Sequence, residues 1–146
     1  GSVIPYFKQL LENNSEFLPV THPDMTRFLL TLNQAIELID WAYNYNGSHG
    51  KIVVPKIKSL KITDIAKCLI NHYNKKDTEL KIIGVRPGEK LHEEMISNEE
   101  WLRTEEKENY LITNKYVRDD MWSYNSFDSL MDNSETYAFL KESKVI

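Results

Sequence analysis

The chain contains 146 residues, which is the length of one ordinary domain. Its formal net charge of −4 at pH 7 excludes a strongly basic nucleic-acid-binding protein and disfavours an anionic membrane surface as a partner. Hydrophobic residues make up 41% of the chain and charged residues 27%, so the chain can bury a core and disorder throughout is excluded.

Hydrophobic spacing and turn residues predict helices that alternate with short strands. The predicted helices are 3–11, 32–45 and 64–73, with a helical turn at 90–96. The predicted strands are 17–21, 26–30, 51–54, 60–62, 79–85 and 110–113. Thr31 and Thr63 are the predicted N-caps of the second and third helices. The apolar side of the second helix is predicted to be Ala35, Ile36, Leu38, Ile39 and Ala42. This pattern favours a small α+β domain.

The segment 118–146 differs in composition from the rest of the chain. It carries more acidic than basic residues, yet it is too rich in large apolar side chains for a free linker. These are Trp122, Tyr124, Phe127, Leu130, Met131, Tyr137 and Phe139. We therefore expect a domain over 1–117 and a tail over 118–146 that docks on the domain or on a partner subunit.

The length of the apolar runs and the cysteine content indicate the cellular compartment of the protein. The apolar runs are far shorter than the roughly 20 residues of a membrane-spanning helix. Cys68 is the one cysteine, so no intrachain disulfide forms, and its apolar neighbours predict a small core residue. The sequence therefore predicts a soluble, cytoplasmic protein without a membrane partner.

Several catalytic motifs are missing or weak. The glycines do not form the G-x-G-x-x-G turn that cradles a dinucleotide. Tyr137 and Lys141 have the spacing of a catalytic Tyr/Lys pair, but such pairs arise by chance in a chain rich in both, and we interpret them as an ordinary helix pair. His92-Glu93 lacks the second histidine of a zinc motif because that position is Ile96, so no metal site is predicted.

Two arginines occupy positions typical of ligand sites, at the edge of predicted strands. Arg27 enters an apolar strand and Arg86 follows one. A guanidinium can grip phosphate oxygens with two hydrogen bonds, and Glu89 can accept hydrogen bonds from a vicinal diol such as a ribose. The three side chains predict a nucleotide-diphosphate clamp. The alternative is that Arg86 and Glu89 pair with each other or with His92 and Glu93.

Three segments resemble the UDP-N-acetylglucosamine 4,6-dehydratases, which are extended short-chain dehydrogenases of polysaccharide and capsule synthesis. They are GSVIPYF at 1–7, THPDMTRF at 21–28 and RPGEKLHEEMI at 86–96. The likeness extends from residue 1 to about residue 116 and leaves out the tail. It implies the small substrate-binding domain of such an enzyme, with the Rossmann dinucleotide domain absent from this chain.

The resemblance also implies roles for individual residues. Arg27 and Arg86 would hold the UDP diphosphate, and Glu89 would bind the uridine ribose. The backbone of Pro19, Val20 and Thr21 would face uracil, and Ser2 and Val3 would border the sugar. No catalytic residue and no metal ligand is implied on this chain.

The implied reaction moves a hydride from sugar C4 to NADP, removes water across C5 and C6, and returns the hydride to C6. The product is a UDP-4-keto-6-deoxy sugar. The residues that transfer hydride and protons lie with NADP in the dinucleotide-binding domain, so we expect this chain to bind no cofactor and to be inactive alone. Inverting and retaining dehydratases stay open, as does a UDP-sugar 4-epimerase.

Three interpretations of the chain therefore remain. It is a fragment or separately made substrate domain of a dehydratase, a non-catalytic nucleotide-sugar-binding domain, or an assembly domain that associates through exposed apolar surface. The expected partners are a UDP-sugar, the missing dinucleotide-binding domain and further copies of the chain in a homo-oligomer.

Overall fold

The computed structural model describes residues 3–146. Their strands are short and form four small sheets. The helices are α1 (Val3–Glu12), α2 (Leu32–Asn44), α3 (Ile62–His72), α4 (Asn98–Trp101) and α5 (Asn133–Glu142). The strands are β1 (Phe17–Val20), β2 (Thr26–Phe28), β3 (Ile52–Val54), β4 (Ser59–Lys61), β5 (Glu79–Ile82), β6 (Glu94–Ile96), β7 (Thr104–Glu106), β8 (Tyr110–Ile112) and β9 (Tyr124–Asn125). The fold class is α+β, as predicted.

The sheets combine one parallel pair with antiparallel pairs. β1 and β5 run parallel, whereas β2 pairs with β4 and β6 pairs with β9 in antiparallel fashion. β8 lies between β3 and β7 and is antiparallel to both. Parallel strands end at the same edge, so the loops that follow β1 and β5 emerge side by side.

The first hydrophobic core lies between α1, α3 and the β1–β5 pair. Phe7 and Leu11 of α1 are four residues apart and are fully buried. Ile65 and Leu69 of α3 repeat that spacing and are also fully buried. A spacing of four places each pair on one helix face, which is why the two helices pack through these residues.

The second core is aromatic. Trp101 meets Trp122 nearly edge-to-face with ring centroids 4.5 Å apart, and Tyr110 meets Tyr124 at 5.2 Å. Phe28 of β2 reaches the same cluster, 5.0 Å from Tyr124. Trp122 and Tyr124 come from the segment 118–146, so this segment completes a core whose other residues precede it.

Further contacts hold the segment 118–146 on the remainder of the chain. β9 pairs with β6, and α5 packs on α3. The Ser59 N–H donates to the Ser129 carbonyl at 2.9 Å, and the Met131 N–H donates to the Ser59 carbonyl at 2.8 Å. The division of the chain at residue 117 stays a prediction.

The predicted helices at 3–11, 32–45 and 64–73 are confirmed as α1, α2 and α3, with two differences of detail. α3 starts at Ile62, so Thr63 lies inside the helix and Lys61 is the N-cap without a side-chain hydrogen bond. The Ile62 N–H instead donates to the Met25 carbonyl at 3.0 Å. A tertiary hydrogen bond therefore replaces the side-chain cap.

The predicted helical turn at 90–96 is wrong. This segment bends and then forms β6, which pairs with β9 through Glu94–Asn125 and Ile96–Tyr124. The pairing partner lies far along the chain, and Ile96 is fully buried in the aromatic core. Long-range pairing and burial have overridden the local helical pattern.

The predicted apolar side of α2 is also wrong in part. Ile36 and Ile39 point away from both cores and are exposed, whereas Ala35, Leu38 and Ala42 are half-buried. The helix boundaries and its Thr31 cap agree with the sequence, and Thr31 and Gln34 form a capping box. None of the described helices is both long and apolar enough to cross a membrane.

Leu140→Ala tests the contribution of α5 to stability. Leu140 is fully buried, so we expect the free energy of unfolding to fall by about 2–5 kcal/mol. Tyr137→Ala on the same helix is the matched control, because Tyr137 is half exposed and its loss is expected to cost under about 1 kcal/mol. Urea unfolding measures both values, and a loss below about 1 kcal/mol for Leu140→Ala would show that α5 does not belong to the cooperative unit.

The capping box of α4 predicts a pH dependence. The Ser97 N–H and the Ser97 hydroxyl both donate to the Glu100 carboxylate at 2.9 Å, and these bonds hold the pKa of Glu100 below its ordinary value. A lowered folded-state pKa stabilises the fold above the unfolded pKa of about 4.3. That stabilisation is lost as the pH falls through the folded-state pKa.

Ser97→Ala is expected to raise the pKa of Glu100 and to cost about 0.5–2 kcal/mol at pH 7, with a smaller cost at acidic pH. Glu100→Gln is the control, because glutamine keeps the box but does not titrate. Thermal unfolding at neutral and acidic pH, with carboxyl NMR titration, measures both effects. A cost for Ser97→Ala that is the same at both pH values would contradict this account.

Candidate functional site

A cavity of about 770 Å³ opens beside α1, at the edge where β1 and β5 end. This volume lies within the range of small-molecule sites. We call this cavity the cleft, and its polar and charged lining consists of Tyr6, Gln9, Thr21, Arg27, Arg86, Glu89 and Glu93. The parallel pairing of β1 and β5 brings the loops of Thr21 and Arg86 together, although they are far apart in the sequence.

Arg27 is held firmly in the cleft wall. Its guanidinium donates to the Thr26 carbonyl at 2.7 Å and to the Leu91 carbonyl at 3.2 Å. It also lies 3.8 Å from a Glu89 oxygen and 3.7 Å from a Glu93 oxygen. Only 21% of its side chain is exposed, so this cation is oriented before any ligand arrives.

Arg86 and Glu89 lie on a turn at the mouth of the cleft. The Glu89 N–H donates to the Arg86 carbonyl at 3.0 Å, and the Glu89 carboxylate accepts from the Arg86 N–H at 3.3 Å. Gly88 has a φ of 81°, a conformation that side chains disfavour and that permits the turn. Glu89 thus forms its ion pair with Arg27, while the Arg86 guanidinium has no hydrogen bond or ion pair among residues 3–146.

The other predicted contact residues also line the cleft, with one left undescribed. Val3 of α1 and the run Pro19, Val20 and Thr21 are in its wall. The Val20 carbonyl already accepts from the Ile83 N–H at 2.9 Å, so a ligand can use only its second lone pair. Ser2 lies outside the described residues.

Glu93 also lines the cleft, although the sequence suggested it only as an alternative pairing partner of Arg86 and Glu89. Its carboxylate accepts from the Phe28 N–H at 2.9 Å and faces Arg27. The signal that could have found it is its place in the RPGEKLHEEMI string, seven residues after Arg86. The helix predicted at 90–96 concealed this role.

A buried hydrogen-bond cluster lies behind the cleft. The Thr26 hydroxyl is 2.8 Å from His92 Nδ1 and 2.6 Å from the Ser126 hydroxyl. The Ser126 hydroxyl also accepts from the Glu93 N–H at 2.8 Å. Thr26 and Ser126 are fully buried, so these bonds connect β2, the loop before β6 and the tail.

A bound dinucleotide makes a particular demand on the start of a helix. Its pyrophosphate needs a glycine-rich turn that opens a helix. α2, α3 and α5 instead follow Thr31, Lys61 and Asp132, and the side chains of Thr31 and Asp132 already cap their helices. The starts of these three helices therefore do not offer that turn, and the absence of a bound cofactor on this chain stays a prediction.

Metal and thiol chemistry is not indicated in the described part of the chain either. No group of His, Cys, Asp and Glu there could hold a metal ion. Burial, and secondarily the charge of Asp64, raises the pKa of the Cys68 thiol, which favours the unreactive protonated form. Tyr137 and Lys141 lie on α5, outside the cleft lining. The charged groups of the cleft are thus two guanidiniums, of Arg27 and Arg86, and two carboxylates, of Glu89 and Glu93.

Comparison with known proteins relates the chain to longer ones. It is 35% identical to a Methanocaldococcus jannaschii protein described as an uncharacterized membrane protein, over 99% of this chain and 44% of that protein. It is 40% identical to UDP-N-acetylglucosamine 4,6-dehydratase (inverting) of Campylobacter jejuni, over 81% of this chain and 34% of that protein. It is 39% identical to UDP-glucose 4-epimerase of Rickettsia bellii, over 75% of this chain and 31% of that protein.

A solved structure, that of Pen from Bacillus thuringiensis, shares the fold. The TM-score is 0.84 at 27% identity, and the match covers 100% of this chain and 47% of that one. The chain thus spans less than half the length of these relatives. The sequence profile described as polysaccharide biosynthesis protein matches residues 1–115. This match covers most of the chain, and the chain belongs to the polysaccharide biosynthesis protein family.

Proposed function

We propose that this chain is the nucleotide-sugar-binding part of a UDP-N-acetylglucosamine 4,6-dehydratase that makes a UDP-4-keto-6-deoxy sugar for polysaccharide synthesis. The observation that carries this proposal is the presence of Arg27, Arg86 and Glu89 on one cleft of suitable volume. The Campylobacter relative named as such a dehydratase supports the choice of substrate.

The two arginines have different tasks in this proposal. Arg27 is oriented by two carbonyls and forms a fixed positive wall for the diphosphate. Arg86 is exposed at the mouth, so its guanidinium is free to turn onto the phosphate oxygens after the ligand enters. A fixed cation and a closing one together grip the diphosphate from two sides.

Glu89 changes partner when the ligand binds. Without ligand, its carboxylate lies 3.8 Å from Arg27. A diphosphate carries more negative charge than one carboxylate and competes for that guanidinium. The Glu89 carboxylate then turns to the ribose hydroxyls and accepts hydrogen bonds from these neutral donors.

The chain binds and orients the substrate but does not carry the chemistry in this proposal. The cleft side chains have no catalytic Tyr/Lys pair, and the resemblance implies that the reacting residues belong to the dinucleotide-binding domain. We therefore expect the chain by itself to bind a UDP-sugar without converting it.

A UDP-sugar 4-epimerase is the second candidate, and the Rickettsia relative named as UDP-glucose 4-epimerase favours it. Both enzymes need the same grip on UDP. They differ in the sugar that they act on, and the resemblance implies that Val3, which lines the cleft, borders that sugar. The relative affinities for UDP-N-acetylglucosamine and UDP-glucose separate the two, since the dehydratase proposal expects the acetamido sugar to bind more tightly.

Arg86→Ala tests the diphosphate grip. We expect saturable binding of UDP and of UDP-N-acetylglucosamine by the unmodified chain in calorimetric titration. Removing Arg86 is expected to weaken both by about 10- to 150-fold, which corresponds to one lost charge-assisted hydrogen bond. Because Arg86 is exposed, the thermal stability is expected to stay unchanged.

Arg103→Ala is the matched control, because Arg103 lies outside the cleft lining and bonds the Thr113 carbonyl. It is expected to leave UDP affinity unchanged. Equal affinities for the unmodified chain and Arg86→Ala would refute the grip. The absence of any UDP binding by the folded chain would refute the binding function of the isolated domain.

Glu89→Gln tests the ribose contact with a double comparison. The unmodified chain is expected to bind 2′,3′-dideoxy-UDP about tenfold or more weakly than UDP, because a charge-assisted hydrogen bond is lost. In Glu89→Gln, this difference in affinity between UDP and 2′,3′-dideoxy-UDP is expected to shrink, whether or not the loss of the Glu89 charge also affects Arg27. Glu94→Gln, on β6 and outside the cleft lining, is expected to keep the full difference.

A further inference from the structure

Three polar side chains form a hydrogen-bond relay behind the cleft, and we use this name for His92, Thr26 and Ser126. The His92 Nδ1 atom is 2.8 Å from the Thr26 hydroxyl oxygen, which is 2.6 Å from the Ser126 hydroxyl oxygen. Thr26 and Ser126 are fully buried, and His92 is half-buried. A buried hydroxyl without a hydrogen-bond partner costs free energy, so the hydrogens of both hydroxyls need acceptors inside the protein.

The relay reaches the carbonyl group that orients the cleft arginine. The Thr26 carbonyl accepts from the Arg27 guanidinium at 2.7 Å. The Ser126 hydroxyl oxygen lies 3.4 Å from that same carbonyl oxygen. The Arg27 guanidinium and the Ser126 hydroxyl are therefore rival donors to one oxygen, and the direction of the hydrogen bonds in the relay decides between them.

The distances favour one of the two possible directions. If His92 Nδ1 carries no hydrogen, the Thr26 hydroxyl donates to it and the Ser126 hydroxyl donates to Thr26, so both hydrogens lie in short bonds. If Nδ1 carries a hydrogen, both donations reverse and the Ser126 hydrogen is left with the carbonyl oxygen at 3.4 Å. That distance exceeds the upper limit of about 3.0 Å for an ordinary O–H···O bond. The first direction therefore satisfies the relay better.

We propose that His92 is a positioning residue for the cleft, because its Nδ1 atom accepts from Thr26 and thereby keeps the Ser126 hydroxyl away from the carbonyl that orients Arg27. His92 is not among the cleft-lining residues, so it acts through the relay rather than on a ligand. This inference rests on the proposed function, which gives Arg27 the diphosphate. Without the Nδ1 acceptor, Thr26 turns to Ser126, and the Ser126 hydroxyl then competes with Arg27 for the carbonyl.

His92→Phe tests the role of the Nδ1 acceptor. It removes this atom and keeps an aromatic ring beside Phe127, whose ring centroid lies 5.0 Å from that of His92. We expect the affinity for UDP in calorimetric titration to fall about 3- to 10-fold, which corresponds to one ordinary hydrogen bond. The affinity for uridine, which has no phosphate, is expected to stay unchanged in NMR titration. A general loss of folding would instead lower both affinities together.

His92→Asn is the conservative rescue, because the asparagine side-chain oxygen can replace Nδ1 as the acceptor. It is expected to keep the UDP affinity of the unmodified chain. His49→Leu is the matched control, since His49 is exposed and lies outside the cleft lining. Should His92→Phe fail to fold, His92→Leu replaces it with the same expected loss of UDP affinity.

A second substitution distinguishes competition at the carbonyl from a structural defect. Ser126→Ala in the His92→Phe chain removes the competing hydroxyl, so the ratio of UDP affinity to uridine affinity is expected to return to that of the unmodified chain. The same substitution takes the hydroxyl acceptor from the Glu93 N–H, so a structural defect would grow. A ratio that stays low or falls further would overturn the proposal.

NMR of the ligand-free chain tests the relay independently of UDP. With 15N-labelled histidine and arginine at mildly alkaline pH, His92 Nδ1 is expected to give the signal of an imidazole nitrogen without hydrogen. His92→Phe is expected to shift the Arg27 guanidinium signal, and His49→Leu is not. A hydrogen on Nδ1 or an unchanged Arg27 signal would overturn the proposal. The expected NMR signals without any UDP binding would confirm the relay and refute the proposed function alone.

Discussion

The alternation of side chains along β2 is the constraint on which the site depends. Successive residues of a strand point to opposite faces, so Thr26 and Phe28 face one way and Arg27 faces the other. Thr26 bonds to His92 and Ser126, and Phe28 packs on Tyr124. The face opposite Arg27 is therefore attached to the tail, which gives the cleft arginine a rigid support.

This arrangement explains how the acidic, aromatic tail supports the cleft although no tail residue lines the cavity. Ser126 accepts a hydrogen bond from the Glu93 N–H, and the Glu93 carboxylate faces Arg27. The tail thereby fixes both the strand and the loop that carry the charges of the site. A buried network in which each polar group has a partner specifies one arrangement, because any other would leave a buried group unsatisfied.

Charge and apolar surface divide the molecule into two functional regions. The cleft holds Arg27 against the Glu89 and Glu93 carboxylates, which a more highly charged anion can displace. α2 exposes the apolar side chains of Leu32, Ile36, Ile39 and Tyr43 and directs its polar contacts towards its own domain. In the proposal made above, the first region binds a nucleotide-sugar.

The sequence by itself determined the helices α1, α2 and α3, and it pointed to the residues of the cleft. These are local features: the Thr31 cap, the hydrophobic spacing within 3–11, and the contiguous RPGEKLHEEMI string. Each can be recognised within a few residues, because helix periodicity and capping depend only on near neighbours.

The tertiary structure alone decided the features that depend on distant partners. β6 forms because Tyr124 and Asn125 pair with it, and Arg27 rather than Arg86 takes the Glu89 ion pair because β2 lies beside the turn. It also decided which side of α2 is covered, since periodicity shows that a stripe exists but not where its partner lies. Pairing, burial and ion pairing arise between residues far apart in the chain, and a local pattern carries no information about such distances.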